Sequence, residues 1–535
     1  MVNEQSEVFQ YGLLRSALRN DLVSLHGFSN PDAGQILNWF DPTNSEYLEH
    51  VDSWQKLLCA GAVVDRPAPF SFIRRNAFGS YDLEGTSPDV VRCVHQIAKI
   101  LYKYHGVPRR ETKFSEVKHR LHNPGHVSLD SWELDRIRKH LSGVREPDLN
   151  YLCGRFGPGA TYEGFNAYEK WRRLGAIPDV PPNLYRVNPR DPWVAQSVSP
   201  DFAFTKIAEV PKSIKSNRIV SSESAMRMYA QLAVNDFLVK EISREFAGHV
   251  SLHDQEQHNR LLYEHGSCTL DLSDASDHVS SELVTAVLPQ LWPVLAKVRS
   301  THAMFPDGDM VQLRTFAPMG SGVCFSVMTT VILGIAAYSA EIASRERGGR
   351  TAYSVYGDDI ICTVNMYDIM TDLLTRAGLV INRTKSCCSL NYVESCGLEL
   401  YKGVNITPAY IRDPIDILCA DKVEQVATLL EQRAFPATAR VIADRANCAR
   451  FFRVNKHLQR REVCVRTLSA RQKIRALTGW DGLNRWFSVN TMGNTIGDKR
   501  ATGAVVEVWT KPSWRCKPEQ DYPYLAHWLV TRAQD

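Results

Sequence analysis

Apolar residues recur at three- and four-residue intervals over positions 90–104 and again over 129–141, and this spacing predicts amphipathic helices there. The first 150 residues read as mostly helical and polar, with no chemistry legible in them. RFGPGAT at 155–161 reads as a tight Gly-Pro loop, and the proline-rich stretch 174–200 as an extended connector. Beyond residue 201 the texture changes. Residues 204–220 (FTKIAEVPKSIKSNRIV) read as an extended basic segment, and 226–246 as a helix. CTLDL at 268–272 predicts a buried strand ending in Asp271, followed by Ser273-Asp274-Ala275-Ser276-Asp277 and a helix. Asp274 is placed to cap that helix, with Asp277 in its first turn. Asp271 has no such reading, because burying a carboxylate at the end of an apolar strand is costly without a cation or a donor.

From Arg314 to Glu341 no charged residue intervenes, a stretch longer than the ~20 residues that span a bilayer. It opens, however, on Pro318, Gly320, Ser321 and Gly322, so a continuous helix is predicted only over 323–340. A buried core helix behind a glycine-rich loop accounts for it, without a membrane. Next comes TAYSVYGDDIICTV at 351–364, two β-branched and aromatic runs around Gly357-Asp358-Asp359. That is the pattern of a tight hairpin with glycine at the turn. A helix over 366–377 follows, then 378–389 with Arg383 and Lys385, then a small sheet over 394–412 with a Lys-Gly turn.

At 535 residues with 44% hydrophobic and 23% charged residues, the chain has the composition of a globular protein rather than a disordered one. A net charge of +4 excludes a uniformly basic protein but permits local basic surfaces. One such surface is the tail. Residues 433–475 hold twelve Lys/Arg against Asp444 and Glu462, with Phe451 and Phe452 interleaved, a candidate nucleic-acid face in which Arg453, Lys456, Arg460 and Arg461 are the chosen contacts. Thirteen cysteines show no zinc-site spacing, and reduced thiols are expected. The N-terminus carries early acidic residues and no apolar core, unlike a signal peptide.

Adjacent carboxylates at a hairpin tip repel each other, and a hard divalent cation relieves that repulsion. The order of the basic segment, Asp271-x5-Asp277, the glycine-rich loop and Gly357-Asp358-Asp359 resembles the palm of template-dependent RNA polymerases. That resemblance implies two metal ions ~3.5–4 Å apart bridging a 3′-hydroxyl and a nucleoside triphosphate, which need carboxylates from two neighbouring strands. Asp271 from one strand, with Asp358 and Asp359 from the hairpin, would supply them. Lys212, Lys215 and Arg218, spaced three apart, would neutralise the triphosphate. Lys385 is the candidate proton donor to the leaving pyrophosphate, with Arg383 a close rival in sequence.

More closely, AEVPKSIKSNRIV, TLDLSDASD, APMGSG, SVYGDD and ESCGLELYKGVNITPAYIR resemble the replicase β subunit of the single-stranded RNA bacteriophages, the leviviruses. The motifs cover roughly residues 150–415. The resemblance implies an α+β right-hand polymerase of fingers, palm and thumb, with an antiparallel palm sheet packed on helices. The expected division is an N-terminal and fingers region (1–200), a basic fingers segment (201–260), a palm (261–415) and a basic thumb and C-terminal region (416–535). It implies RNA synthesis from rNTPs on an RNA template without a protein primer, in the cytoplasm of an infected bacterium. Carried over by position, the site for two Mg²⁺ ions, with Mn²⁺ able to substitute, falls on Asp271, Asp358, Asp359 and the Leu272 carbonyl. Asp277 with the Ser321-Gly322 loop would lie near the ribose. Ser326 and Thr330 stand where threonine and asparagine are common in viral polymerases, which shifts the 2′-hydroxyl contact towards Asp277. The family further implies host elongation factors Tu and Ts and an RNA-binding ribosomal protein as partners.

Two rivals remain open on sequence alone. A reverse transcriptase also places paired aspartates on a hairpin, but usually sets a bulky aromatic near the ribose where this chain has Ser273, Asp274, Ser276 and Asp277. A non-catalytic RNA-binding protein would use the basic tail alone.

Overall fold

Helices form within the two stretches where the apolar periodicity predicts them, and long-range hydrogen bonds stop the first of these early. The computed structural model describes residues 4–66, 68–104, 112–157, 159–165, 203–264, 267–388, 391–412 and 420–445. Helices α1 (Glu4–Ser24), α2 (Asn30–Trp39) and α3 (Tyr47–Ala60) lead into three short strands, β1 (Ala62–Val63), β2 (Arg74–Arg75) and β3 (Tyr81–Asp82). Helix α4 (Pro88–Lys99) starts behind Ser87, whose hydroxyl accepts from the Val90 amide. It ends short of the expected 104 because the carbonyls of Ile100 and Tyr102 accept instead from Ile411 and Ile214. Helix α5 (Phe114–His122) and α6 (Ser131–His140) follow, the latter opened by an Asp130/Glu133 capping box.

Strands β4 (Phe204–Pro211) and β5 (Asn217–Ser222) form an antiparallel hairpin. The extended basic segment is thus two strands with Lys212 and Lys215 in the turn between them, not one strand displaying three cations. Helix α7 (Ala225–Glu245) comes next, close to the expected bounds. Then follow α8 (Gln255–Asn259), strand β6 (Ser267–Asp271) and the short helices α9 (Ala275–His278), α10 (Ser281–Val287) and α11 (Trp292–Val298). Strands β7 (His302–Met304) and β8 (Met310–Gln312) extend the basic hairpin into a four-stranded sheet, order β5-β4-β7-β8.

Helix α12 (Cys324–Glu346) is the centre of the larger core. It is long and apolar enough to cross a membrane by composition, yet 72% of its most apolar window is buried inside the protein. Helices α6, α7 and α10 pack around it. Gly334 allows the approach of α6, since a Cβ there would meet Leu141 Cδ1 at 2.7 Å. Strands β9 (Tyr353–Tyr356) and β10 (Asp359–Thr363) and helix α13 (Val364–Arg376) complete this core, β10 lying between β6 and β9 in an all-antiparallel sheet.

A second core joins the two ends of the described chain. Strands β11 (Tyr392–Ser395), β12 (Leu398–Tyr401) and β13 (Val404–Asn405), with helices α14 (Ala420–Gln432) and α15 (Pro436–Arg445), pack against α1–α4. Asp21 of α1, 1% exposed, accepts from the Ala437 and Thr438 amides at 2.9 and 2.8 Å and so caps α15 from across the molecule. Gln96 exchanges two hydrogen bonds with the Ala409 backbone, and buried His95 meets Glu399 at 2.7 Å. The architecture is mixed helix and sheet.

Candidate active site

The tip of the β9–β10 hairpin is built to hold two acidic residues at one spot. Tyr356 pairs with Asp359, leaving Gly357 and Asp358 as a two-residue turn, and Gly357 has φ +65°. Glycine first in the turn with positive φ matches the II′ connection that suits the strand twist. The Gly357 amide donates to Thr329 Oγ1 of α12 at 3.2 Å, and the Phe325 ring lies where a Cβ on residue 357 would sit. Helix α12 therefore buttresses the turn directly.

In the β6–β10 ladder Asp271 is the register partner of Asp359, so the acidic end of the apolar strand meets the hairpin tip. Register partners in an antiparallel pair have Cβ atoms roughly 4.5–5.5 Å apart. The charges are felt. Burial first, and then Asp271, raises the Asp358 carboxyl above its ordinary range, and burial, Asp358 and Asp271 push Asp359 up to about 6.

Asp271 has the donors its burial demands. Asn382 Nδ2 donates to Oδ2 at 2.7 Å, Lys385 Nζ to Oδ1 at 3.3 Å, and the Asp271 amide donates to Ser386 Oγ at 3.1 Å. All three side chains come from one strap that runs antiparallel along β6. Thr269 and Cys387 exchange two backbone bonds of 2.8 Å, and Asn382 N donates to the Asp271 carbonyl at 2.9 Å. Burial opposes the Lys385 charge, but Glu394, Asp271 and Asp359 outweigh it and keep the ammonium protonated well above its ordinary range. Arg383, its sequence rival, is exposed and bonds to none of the three aspartates.

The same strap overturns the expectation of reduced thiols. Cys387 is disulfide-bonded to Cys59 of α3 and Cys388 to Cys268 of β6, while Cys93, Cys324, Cys362 and Cys396 form no disulfide among the described residues. The vicinal pair lies between the two cores, so each sulfur finds a partner on a different side.

The second hairpin also reaches the site. Ser395 pairs with Leu398, and the Cys396-Gly397 turn has φ +47° and +76°. Cys396 Sγ donates to Asp359 Oδ2 at 3.4 Å. The carboxylates thus fit a divalent ion in kind, as hard donors whose mutual repulsion a cation would relieve. As the side chains stand, no group of three acidic, His or Cys residues among the described residues encloses one. Lys385 and Asn382 occupy Asp271, and Cys396 occupies Asp359. Leu272 is buried, and its bridge partner is Ile381 of the strap.

The cations divide. Lys212 lies within electrostatic reach of Asp271 and Asp274, and burial, Arg218 and Lys385 lower its affinity for a proton. Arg218 stands exposed on β5. Lys215 turns away and meets Asp52 of α3 at 2.9 Å.

Asp277 is 9% exposed and takes Nε and Nη2 of Arg120 at 3.1 and 3.0 Å. Arg120 is a residue that the reading of the first 150 positions missed. Asp274 stands at the N-cap position of α9 but makes no side-chain cap, because its φ of +46° is left-handed rather than extended. The Gly322 amide donates to Gln231 Oε1 at 2.8 Å, and the buried Ser321 hydroxyl has no hydrogen-bond partner among the described residues. Arg453, Lys456, Arg460 and Arg461 lie outside the described residues.

Comparison with known proteins gives the site a context. Residues 193–423 match the family described as "RNA replicase, beta-chain". The RNA-directed RNA polymerase subunit beta of Enterobacteria phage SP is 33% identical over 219 residues, 40% of this chain and 37% of that relative. The RNA-directed RNA polymerase beta chain of Escherichia phage MS2 is 31% identical over 241 residues, 43% of each chain. The matched part spans only about two-fifths of the length of these curated relatives. Among solved structures, the RNA-dependent RNA polymerase of a human picorbirnavirus aligns over 84% of this chain and 96% of its own, at 11% identity and a TM-score of 0.46, a likeness too loose to carry an argument. Across residues 193–423, which include Asp271, Asp358, Asp359 and Lys385, the chain is therefore similar to the replicase β chains of the RNA phages.

Proposed function

We propose that this chain is an RNA-directed RNA polymerase that extends RNA from rNTPs on an RNA template and replicates a single-stranded RNA phage genome. The observation that carries the reading is the register pairing of Asp271 with Asp359, beside Asp358 at the tip of a two-residue turn. In this reading β6, β9 and β10 belong to the palm of a right-hand fold, the β4–β5 hairpin to the fingers, and the basic tail to a thumb.

Asp271, Asp358 and Asp359, with the Leu272 carbonyl, would hold two Mg²⁺ ions, Mn²⁺ serving in their place. When bound, the ions neutralise the triphosphate and favour the ionised 3′-hydroxyl. The remaining work belongs to the protein's own side chains. Lys212 and Arg218 attract and align the triphosphate. Lys385, held protonated beside Asp271, gives its proton to the departing pyrophosphate oxygen. Asp277 and Ser321 contact the ribose. Gly357 and Phe325 keep the turn rigid, so that the carboxylates hold their places during turnover. A holoenzyme with host elongation factors Tu and Ts and an RNA-binding ribosomal protein, working in the bacterial cytoplasm, belongs to the same proposal.

The test is incorporation of labelled ribonucleotides with Mg²⁺, with and without an RNA template, in buffer and in bacterial extract. Template-dependent product supports the reading. RNA binding with no product in either medium would favour a non-catalytic RNA-binding protein.

A further inference from the structure

We propose that Arg120 is the positioning residue that fixes Asp277 as the acceptor for the ribose 2′-hydroxyl of an incoming nucleotide. The inference rests on the polymerase reading above.

Arg120 lies in the last turn of α5, and the end of that helix is tied to the acidic loop through Thr315. The Arg314 and Thr315 amides both donate to the Leu121 carbonyl, at 3.1 and 3.2 Å. Thr315 Oγ1 in turn donates to the Ser276 carbonyl at 2.9 Å, next to Asp277. One short segment is thus stitched to both partners, so the guanidinium and the carboxylate meet by construction and not by chance of rotamer.

Both guanidinium bonds fall on Asp277 Oδ2. Oδ1 has only a long 3.4 Å contact from Ser276 Oγ and keeps acceptor capacity. A 2′-hydroxyl is a donor that Oδ1 can take, and a 2′-deoxyribose offers none. An acceptor must stay ionised to do this well. Burial works against ionisation at Asp277, and Arg120 opposes that effect.

The Ser326 and Thr330 hydroxyls of α12 are already engaged. Ser326 Oγ donates to the Val323 carbonyl at 3.4 Å and Thr330 Oγ1 to the Ser326 carbonyl at 2.7 Å, both within their own helix. Yet the first turn of α12 places Asp277 near the reacting carboxylates, for the Cys324 thiol feels the charges of both Asp277 and Asp358. Among the described residues no α12 side chain hydrogen-bonds Asp277, whose two short bonds both come from Arg120 of α5.

The test is single-nucleotide extension on an RNA template, scored as the ratio of rNTP to dNTP incorporation for the parent, Arg120→Gln and Arg120→Lys. Arg120→Gln is expected to lower the ratio by roughly tenfold or more, mainly through a higher KM for the rNTP, because a site built around a hydroxyl loses its discrimination with the bond. Arg120→Lys keeps the charge without the fork and should fall between. A merely structural Arg120 would slow both substrates and leave the ratio at the parent value, which overturns the inference while the polymerase reading stands. Should Arg120→Gln not fold, the Arg120→Lys ratio decides, a drop supporting the inference and a parent value overturning it. A parent that extends no RNA removes the polymerase reading and this inference together.

Discussion

Asp271, the last residue of β6, faces Asp359, the first of β10, across the strand pair. Like charges directly opposite are destabilising, and burial, then Asp358, then Asp271 push the Asp359 carboxyl up to about 6. Stability of the metal-free protein is being spent on the site. Mg²⁺ should therefore raise the melting temperature, by roughly 1 °C for each kcal/mol of binding free energy in a chain of this length. Asp359→Asn should stabilise the metal-free protein by about 1 kcal/mol and blunt the Mg²⁺ increment. Thermal melts in chelator and in Mg²⁺ check both. An unchanged increment in the variant would argue against Asp359 as a ligand.

Gly357 meets two constraints at once, a φ of +65° and the Phe325 ring against the position a Cβ would take. Gly357→Ala is expected to cost about 1–3 kcal/mol and to reduce incorporation sharply. Adding Phe325→Ala should recover the steric part but not the backbone part, so a double-mutant cycle will show coupling. Additive losses would mean the ring does not set the turn.

Lys385, not Arg383, reaches Asp271. Lys385→Met should lower the rate of incorporation by roughly 10²–10⁴, the usual span for a lost general acid, while Arg383→Ala leaves it near the parent. Pre-steady-state extension separates these outcomes. The reverse ranking would transfer the role to Arg383.

His258 is fully buried between the Ser354 and Ser395 hydroxyls, each 2.8 Å away, and burial lowers its pKa to about 4. The neutral imidazole is favoured in the fold and a pKa near 6.5 returns on unfolding. Between those values the unfolded chain binds the extra proton, so this contribution is complete above about pH 6.5 and is lost as pH falls towards 4. At most it amounts to ~3 kcal/mol. Urea melts across pH 4–7 should show the slope, and His258→Asn should flatten it.

What the sequence disclosed was what is local. Alternating residues around Gly357 announce a hairpin, and an acidic residue ending the apolar run at Asp271 announces a carboxylate needing partners. The partners themselves were hidden. Asn382 stands three residues before Lys385 in the same strap, so only its chemistry, and not its position, is silent in the sequence. Arg120 is silent in both, because it lies 157 residues before Asp277 and nothing in its own helix marks it. The pairing of Cys387 and Cys388 with Cys59 and Cys268 is equally non-local, at separations of 328 and 120 residues. Regular spacing does not reveal that the Lys212–Ser216 segment turns the chain, separating Lys215 from Lys212 and delivering it to Asp52.

The most direct measurement is Mg²⁺-dependent ribonucleotide incorporation on an RNA template by the parent chain and by Asp358→Asn, in bacterial extract. The account expects incorporation to fall about a thousandfold or more in the variant, with melting temperature and RNA binding retained. Comparable incorporation by both proteins would contradict a catalytic site built on the Gly357-Asp358-Asp359 turn.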